Sequence, residues 1–104
     1  MRNKYIENKL DKMFQELSRN KLCAICGKPS QAIHHIVSRT HKGLRWDKKN
    51  ALPVCIECHR KIHDGLIDVY AYIPTERVLY LEMNKQYVYK MDEHFYKTRE
   101  KELK

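Results

Sequence analysis

No apolar run in this 104-residue sequence approaches the roughly 18–20 residues that a membrane span requires. The opening MRNKYIENKLDKMF is broken by charges and offers no apolar h-region, so a secretory signal is not expected there. Internal repeats and low-complexity tracts are missing as well. Acidic side chains are scarce relative to basic ones, 13 Asp+Glu against 21 Lys+Arg, which leaves a formal net charge of +8. Together these absences predict a soluble, cytoplasmic protein with no membrane association and an anionic partner, nucleic acid being the first candidate. Hydrophobic residues at 42% and aromatics at 10% suffice for a small core, which excludes wholesale disorder. The length allows one compact domain, or one small core with a helical extension.

Three stretches of this single expected domain, 1–104, differ in texture. Residues 1–21 carry Tyr5, Ile6, Leu10, Met13, Phe14 and Leu17 at helical spacing with charges between them, which predicts an amphipathic helix covering a core. Residues 22–66 hold all four cysteines, five of the six histidines, two of the three prolines and all three glycines, so the chemistry concentrates there. Residues 67–104 form a Tyr- and Lys-rich extension. Pro74 and Thr75 read as a helix entry, and Val78, Leu81, Val88, Met91 and Phe95 fit a helical face loosely. Val78–Leu81 and Tyr87–Tyr89 read equally well as short strands. The run from Lys97 to Lys104 is expected to be a solvated helix end or tail.

Cys23-Ala-Ile-Cys26 and Cys55-Ile-Glu-Cys58 are two C-x2-C pairs with 28 residues between them. Each such turn points two thiolates at one centre, and two turns complete a tetrahedral zinc site. Gly27 suits the tight turn after the first pair. The separation exceeds that of a simple zinc ribbon, so something folded must lie between the pairs. A redox C-x-x-C is the weaker rival, because one pair alone would serve it. Cys55 to His59 also spells the C-x-x-C-H haem attachment motif, but that reading leaves Cys23, Cys26 and the other histidines idle and calls for export.

His34, His35, Asn50, His59 and His63 are the second informative set, with fourteen, eight and three residues intervening from His35 onward. His59 and His63 stand at i and i+4, on one face of a helix that starts near Cys55. Two imidazoles so placed are a ready metal site that lacks a third ligand, and His34 or His35 is available to supply it. Neighbours on a strand point to opposite faces. One of the pair can therefore bind metal while the other acts as a base.

The spacing H-H-x14-N-x8-H-x3-H resembles the H-N-H endonuclease signature of colicin-type DNases. The two zinc knuckles and the wording IHHIVSRTHKGLRWDKKNALPVCIECHRKIH resemble the phage H-N-H proteins of the NinG/Rap recombination group more closely, over about residues 22–66. The resemblance implies an α+β fold with a ββα-metal (His-Me finger) core: a hairpin from about Ala32 to Val54, then a helix from about Ile56 to His63. It implies that His35 is the general base, that His34, His59 and His63 hold one catalytic divalent ion, and that Asn50 pins the hairpin loop and orients His35. Cys23, Cys26, Cys55 and Cys58 would hold structural zinc. The implied activity is metal-dependent hydrolysis of DNA by a phage- or prophage-encoded enzyme, with a task in recombination or processing, leaving 5′-phosphate and 3′-hydroxyl ends in the host cytoplasm. The catalytic ion stays open among Mg, Mn, Ni and Zn, and so does the choice between a lone chain, a homodimer and a phage protein partner.

Basic residues crowd the expected loop: Arg39, Lys42, Arg45, Lys48 and Lys49, with Arg60 and Lys61 on the helix. Phosphate contacts by such groups dominate affinity and carry little sequence information. Arg39, Lys42 and Arg45 are the candidate DNA contacts, Arg39 foremost because it closely follows the strand bearing His35. Arg45-Trp46 resembles the RW element of the phage group, and Trp46 reads as a core anchor. His41 and His94 read as solvated. The rival function is a catalytically inactive, zinc-stabilised nucleic-acid-binding module, which would keep the cysteines and the charge but turn nothing over.

Overall fold

The computed structural model describes residues 4–87 and 89–104. Along the chain run α1 (Lys4–Gln15), β1 (Ala32–His35), α2 (Lys42–Arg45), β2 (Ala51–Val54), α3 (Ile56–His63), α4 (Thr75–Asn84) and α5 (Glu93–Leu103), with short 3-10 turns at Glu16–Ser18, Lys48–Asn50 and Val69–Tyr72. The class is α+β, and the hairpin followed by α3 is the ββα unit expected from the sequence. The two strands pair antiparallel, Ala32 opposite Val54 and His35 opposite Ala51.

Pro53 fits this sheet because it opposes Ile33 at a pair whose backbone groups point away from the partner strand. The Ile33 peptide turns instead to the Gln15 side chain, donating to Oε1 (3.0 Å) and accepting from Nε2 (3.2 Å). Pro53 O accepts from Ala24 N at 2.9 Å, which ties the first cysteine knuckle to β2.

The hairpin divides two apolar clusters. Leu52 and Val54 lie in one with Ile36, Val37, Leu44, Val69, Ile73, Leu81 and three of the cysteines, while Ile33 and Ala51 lie in the other with Leu10, Phe14, Trp46, Tyr96 and Leu103. Trp46 is fully buried, the anchor the sequence suggests. On α1, Leu10 and Phe14 face this second cluster, whereas Tyr5, expected on the apolar face, is 79% exposed.

Each end of α3 is fixed by local chemistry. Cys55 caps the N-terminus, its Sγ accepting from Cys58 N. Gly65 stands just past the C-terminus at φ +75°, and Leu66 N reaches back to Lys61 O at 2.9 Å. The helix alternative holds for Val78–Leu81, which lie within α4. Tyr87 and Tyr89 join no strand, and Val88 lies outside the described residues.

The tail behaves differently from expectation. Lys97–Lys104 lies almost wholly within α5, with Arg99 and Leu103 buried and Tyr96 buried one turn earlier. Only one residue per turn faces inward and charges surround each, so the amphipathic pattern is faint in the sequence. Burial of Tyr96 and Leu103 stabilises the docked helix by roughly 1.5–3 kcal/mol each. Asp92 caps the helix start by accepting from Phe95 N at 2.9 Å.

Candidate active site

The two cysteine pairs converge. All four Sγ atoms lie within 4.8 Å of one another, with Cys26 Sγ and Cys55 Sγ 3.6 Å apart. Sulfurs on a tetrahedron with Zn–S bonds of about 2.3 Å are spaced by roughly 3.8 Å, so the donor set fits zinc. The proton balance agrees. Burial acts to raise the Cys23 thiol, but N–H groups of Cys26, Cys55 and Ile25 outweigh it and hold it at about 6. Burial pushes Cys58 up to about 12, helped by its three sulfur neighbours. Cys23 and Cys58 are thus shifted in opposite directions within one cluster of sulfurs, and a bound dication would remove the difference, since a coordinated thiol ionises outright.

A second cluster lies at the other end of α3. His59 and His63 present Nε2 atoms 3.1 Å apart, and His34 faces both with ring centroids at 5.4 and 5.5 Å. Their donor nitrogens all fall within 4.8 Å. That spacing suits three imidazoles around one ion at about 2.0–2.1 Å. Burial lowers His34 to about 4, with His59, His63 and His35 adding to it, and burial followed by His63 lowers His59. These two rings are thus neutral near pH 7, with lone pairs free for a metal.

His35 points the opposite way from His34, as alternation on β1 requires. Its ring stacks on Phe14 of α1, with centroids 4.6 Å apart and planes 17° from parallel. Its Nε2 lies 2.9 Å from Arg45 O. A carbonyl only accepts, so Nε2 carries the proton and the neutral ring keeps the Nδ1 lone pair. Burial lowers its pKa, partly offset by the bond to Arg45 O. Both histidines line one cleft of about 510 Å³ with Gln15, Ser38, Arg39, His59 and His63.

Against known proteins, residues 23–65 match the HNH endonuclease family, a span that contains both clusters and His35. The match covers 43 of the chain's 104 residues. A mitochondrial DNA mismatch repair protein mutS homolog of Sarcophyton glaucum is 38% identical over 65 residues, covering 56% of this chain and 7% of that protein. The chain thus spans a small fraction of the relative it matches. No solved structure matches it.

Asn50 is fully buried and ties the HNH loop together. Its Oδ1 accepts from Val37 N (2.6 Å), and its Nδ2 donates to Val37 O (3.0 Å) and Leu44 O (3.1 Å). Asn50→Ala strands a buried N–H and a buried C=O, and is expected to lower stability by about 2–4 kcal/mol in urea unfolding. An unchanged midpoint would show that the loop holds without it.

The three basic candidates part company. Arg39 is mostly exposed at the cleft, 3.5 Å from Asp11. Lys42 is paired with the buried Glu7 at 3.2 Å. Arg45 is 8% exposed, its guanidinium held by Asp11 through Nε (3.0 Å) and Nη2 (2.6 Å). Its charge is turned into the protein, which no loop composition could reveal. Asp11 and Gln15 escaped the sequence reading altogether, and Phe14 entered it only as part of a core-covering helix face, not as a neighbour of His35. They lie on α1, outside the HNH segment, and the 3.6-residue period that joins 11, 14 and 15 on one face was their only signal.

Proposed function

We propose that this chain is a metal-dependent HNH endonuclease that hydrolyses phosphodiester bonds of DNA, with 1–104 acting as one nuclease domain. The observation that carries this reading is the opposed placement of His34 and His35 at one cleft. His34 completes a three-imidazole cluster with His59 and His63, while His35 gives Nε2–H to Arg45 O and keeps Nδ1 for a proton. The relative named for DNA mismatch repair adds support for DNA as the substrate class.

In this reading His35 takes a proton from water at Nδ1, the water oxygen bonds to phosphorus, and the P–O3′ bond breaks to leave a 5′-phosphate and a 3′-oxygen that takes a proton from solvent to become the hydroxyl. A divalent ion held by His34, His59 and His63 supplies, when bound, charge stabilisation for the leaving oxygen. Asn50 keeps the loop, and with it the Arg45 carbonyl, in register with His35. Cys23, Cys26, Cys55 and Cys58 hold structural zinc and set the start of α3. One cleft per chain nicks one strand, and a second copy or a partner protein would make the other cut. The phage setting and a task in recombination or processing rest on the likeness to the NinG/Rap group.

Arg39 is the phosphate contact of choice, and Arg45 is not one. Arg39→Gln should weaken DNA retention whatever the sequence and reduce its salt slope by about 1. A comparable slope change for Arg45→Gln, without lost stability, would reverse that assignment.

The test is conversion of supercoiled plasmid by the zinc-loaded chain with added Mg, Mn, Ni or Zn. Relaxation that needs the ion and stops with EDTA supports the nuclease. Salt-sensitive DNA retention with no cleavage under any ion moves the protein to the zinc-stabilised binding module.

A further inference from the structure

Arg45 closes α2, and the last carbonyls of a helix have no partner within it. His35 Nε2 meets the Arg45 carbonyl at 2.9 Å, so the place of the proposed base depends on how firmly the peptide between Arg45 and Trp46 is held. The side chains on both sides of that peptide end on one carboxylate. Asp11 Oδ1 accepts from Arg45 Nε at 3.0 Å and from Trp46 Nε1 at 2.8 Å, and Oδ2 accepts from Arg45 Nη2 at 2.6 Å. Asp11 is borne by α1, one turn before Phe14, whose ring lies flat on His35.

We propose that Asp11 is a positioning residue for His35: by spanning Arg45 and Trp46 it fixes the carbonyl that holds His35 with Nε2 protonated and Nδ1 free. The bridge is built for that purpose rather than for bulk stability alone. An ion pair would be satisfied by Arg45, yet the same oxygen also takes the indole N–H, so the flanking peptide cannot rotate without breaking one of the two bonds. Gln15, one turn further on the same face, pins the Ile33 peptide two residues before His35. The donor of the His35 bond and its acceptor are thus both braced from α1. The proposal rests on His35 acting as the base, and Asp11 touches neither substrate nor ion.

The test uses the full, zinc-loaded chain as wild type, Asp11→Asn, His35→Ala and the double variant Asp11→Asn/Arg45→Gln. The double variant replaces the ion pair by an amide pair and so guards against loss of folding from an unpaired buried arginine. Two readouts are taken: cleavage kinetics on a duplex, and the His35 tautomer from long-range 1H–15N spectra. We expect kcat of Asp11→Asn to fall about 10–100-fold with KM within threefold. We also expect the single Nε2–H tautomer of wild type to become a mixture, and the double variant to be no worse than the single one, as for residues acting through one contact. A folded Asp11→Asn with wild-type kcat and an unchanged tautomer overturns the proposal. Should His35→Ala cleave like wild type, the base assignment fails, while the tautomer spectra still decide whether Asp11 orients His35.

Discussion

Removing zinc from the four-sulfur site is expected to unfold the HNH segment. Cys23, Cys55 and Cys58 lie within the larger apolar cluster, against Leu52, Val54 and Leu81, so the site is embedded in packing rather than appended to it. The first knuckle is tied to β2 through Ala24 N and Pro53 O, and the second begins α3, which carries His59 and His63. A structural zinc contributes an apparent 10–16 kcal/mol or so, comparable with or above the roughly 5–15 kcal/mol that holds a domain folded. Without it, the three buried thiols of Cys23, Cys55 and Cys58 crowd together with no ion to bind them. Cys55→Ser isolates the ligand, because serine retains an oxygen able to cap α3 where Cys55 Sγ accepts from Cys58 N at 3.4 Å. Circular dichroism with zinc assayed on the same sample should show helix content and cooperative melting lost as one ion per chain departs. Unaltered melting of a zinc-free chain would mean that the two apolar clusters suffice.

His35→Ala should lower the single-turnover cleavage rate by about 10²–10⁴, the contribution of a placed general base. DNA retention and zinc content should stay level, because a neutral ring contributes no charge to phosphate binding. The substitution leaves Arg45 O without its donor and Phe14 without its stacking partner, a structural loss of about 1–3 kcal/mol, so the variant's melting curve must accompany its rate. A rate drop in a variant that still melts cooperatively points to chemistry. A drop matched by lost folding does not.

The residues that the structure gathers into two clusters were legible because their patterns are short. Two C-x2-C turns and the i, i+4 pair of His59 and His63 are local geometry, and the alternation of β1 separates His34 from His35 without knowledge of the rest. The limits of the hairpin and α3 came instead from the resemblance to the H-N-H group, and the strands and helix fall within them. What escaped was the long-range part. Asp11 meets Arg45 across 34 positions, and Tyr96 donates to Glu7 across 89. Arg99, read as part of a solvated tail, reaches Gly43 O at 2.7 Å and stacks over Phe95. Charged residues that neutralise one another in a fold look, in one dimension, like a solvated surface. Arg45 illustrates the cost to site prediction: a basic residue in a basic loop reads as a phosphate contact until its carboxylate partner on α1 is seen.

The most direct single measurement is supercoiled-plasmid conversion by wild type, His35→Ala and His59→Ala side by side. Each would be run with Mg, Mn, Ni or Zn and with EDTA, with zinc content and melting recorded on the same preparations. Ion-dependent relaxation by wild type, with loss in both folded, zinc-loaded variants, is the predicted result. Equal cleavage by all three, or cleavage that persists in EDTA, would contradict a cleft in which His35 serves as base beside an ion held by His34, His59 and His63.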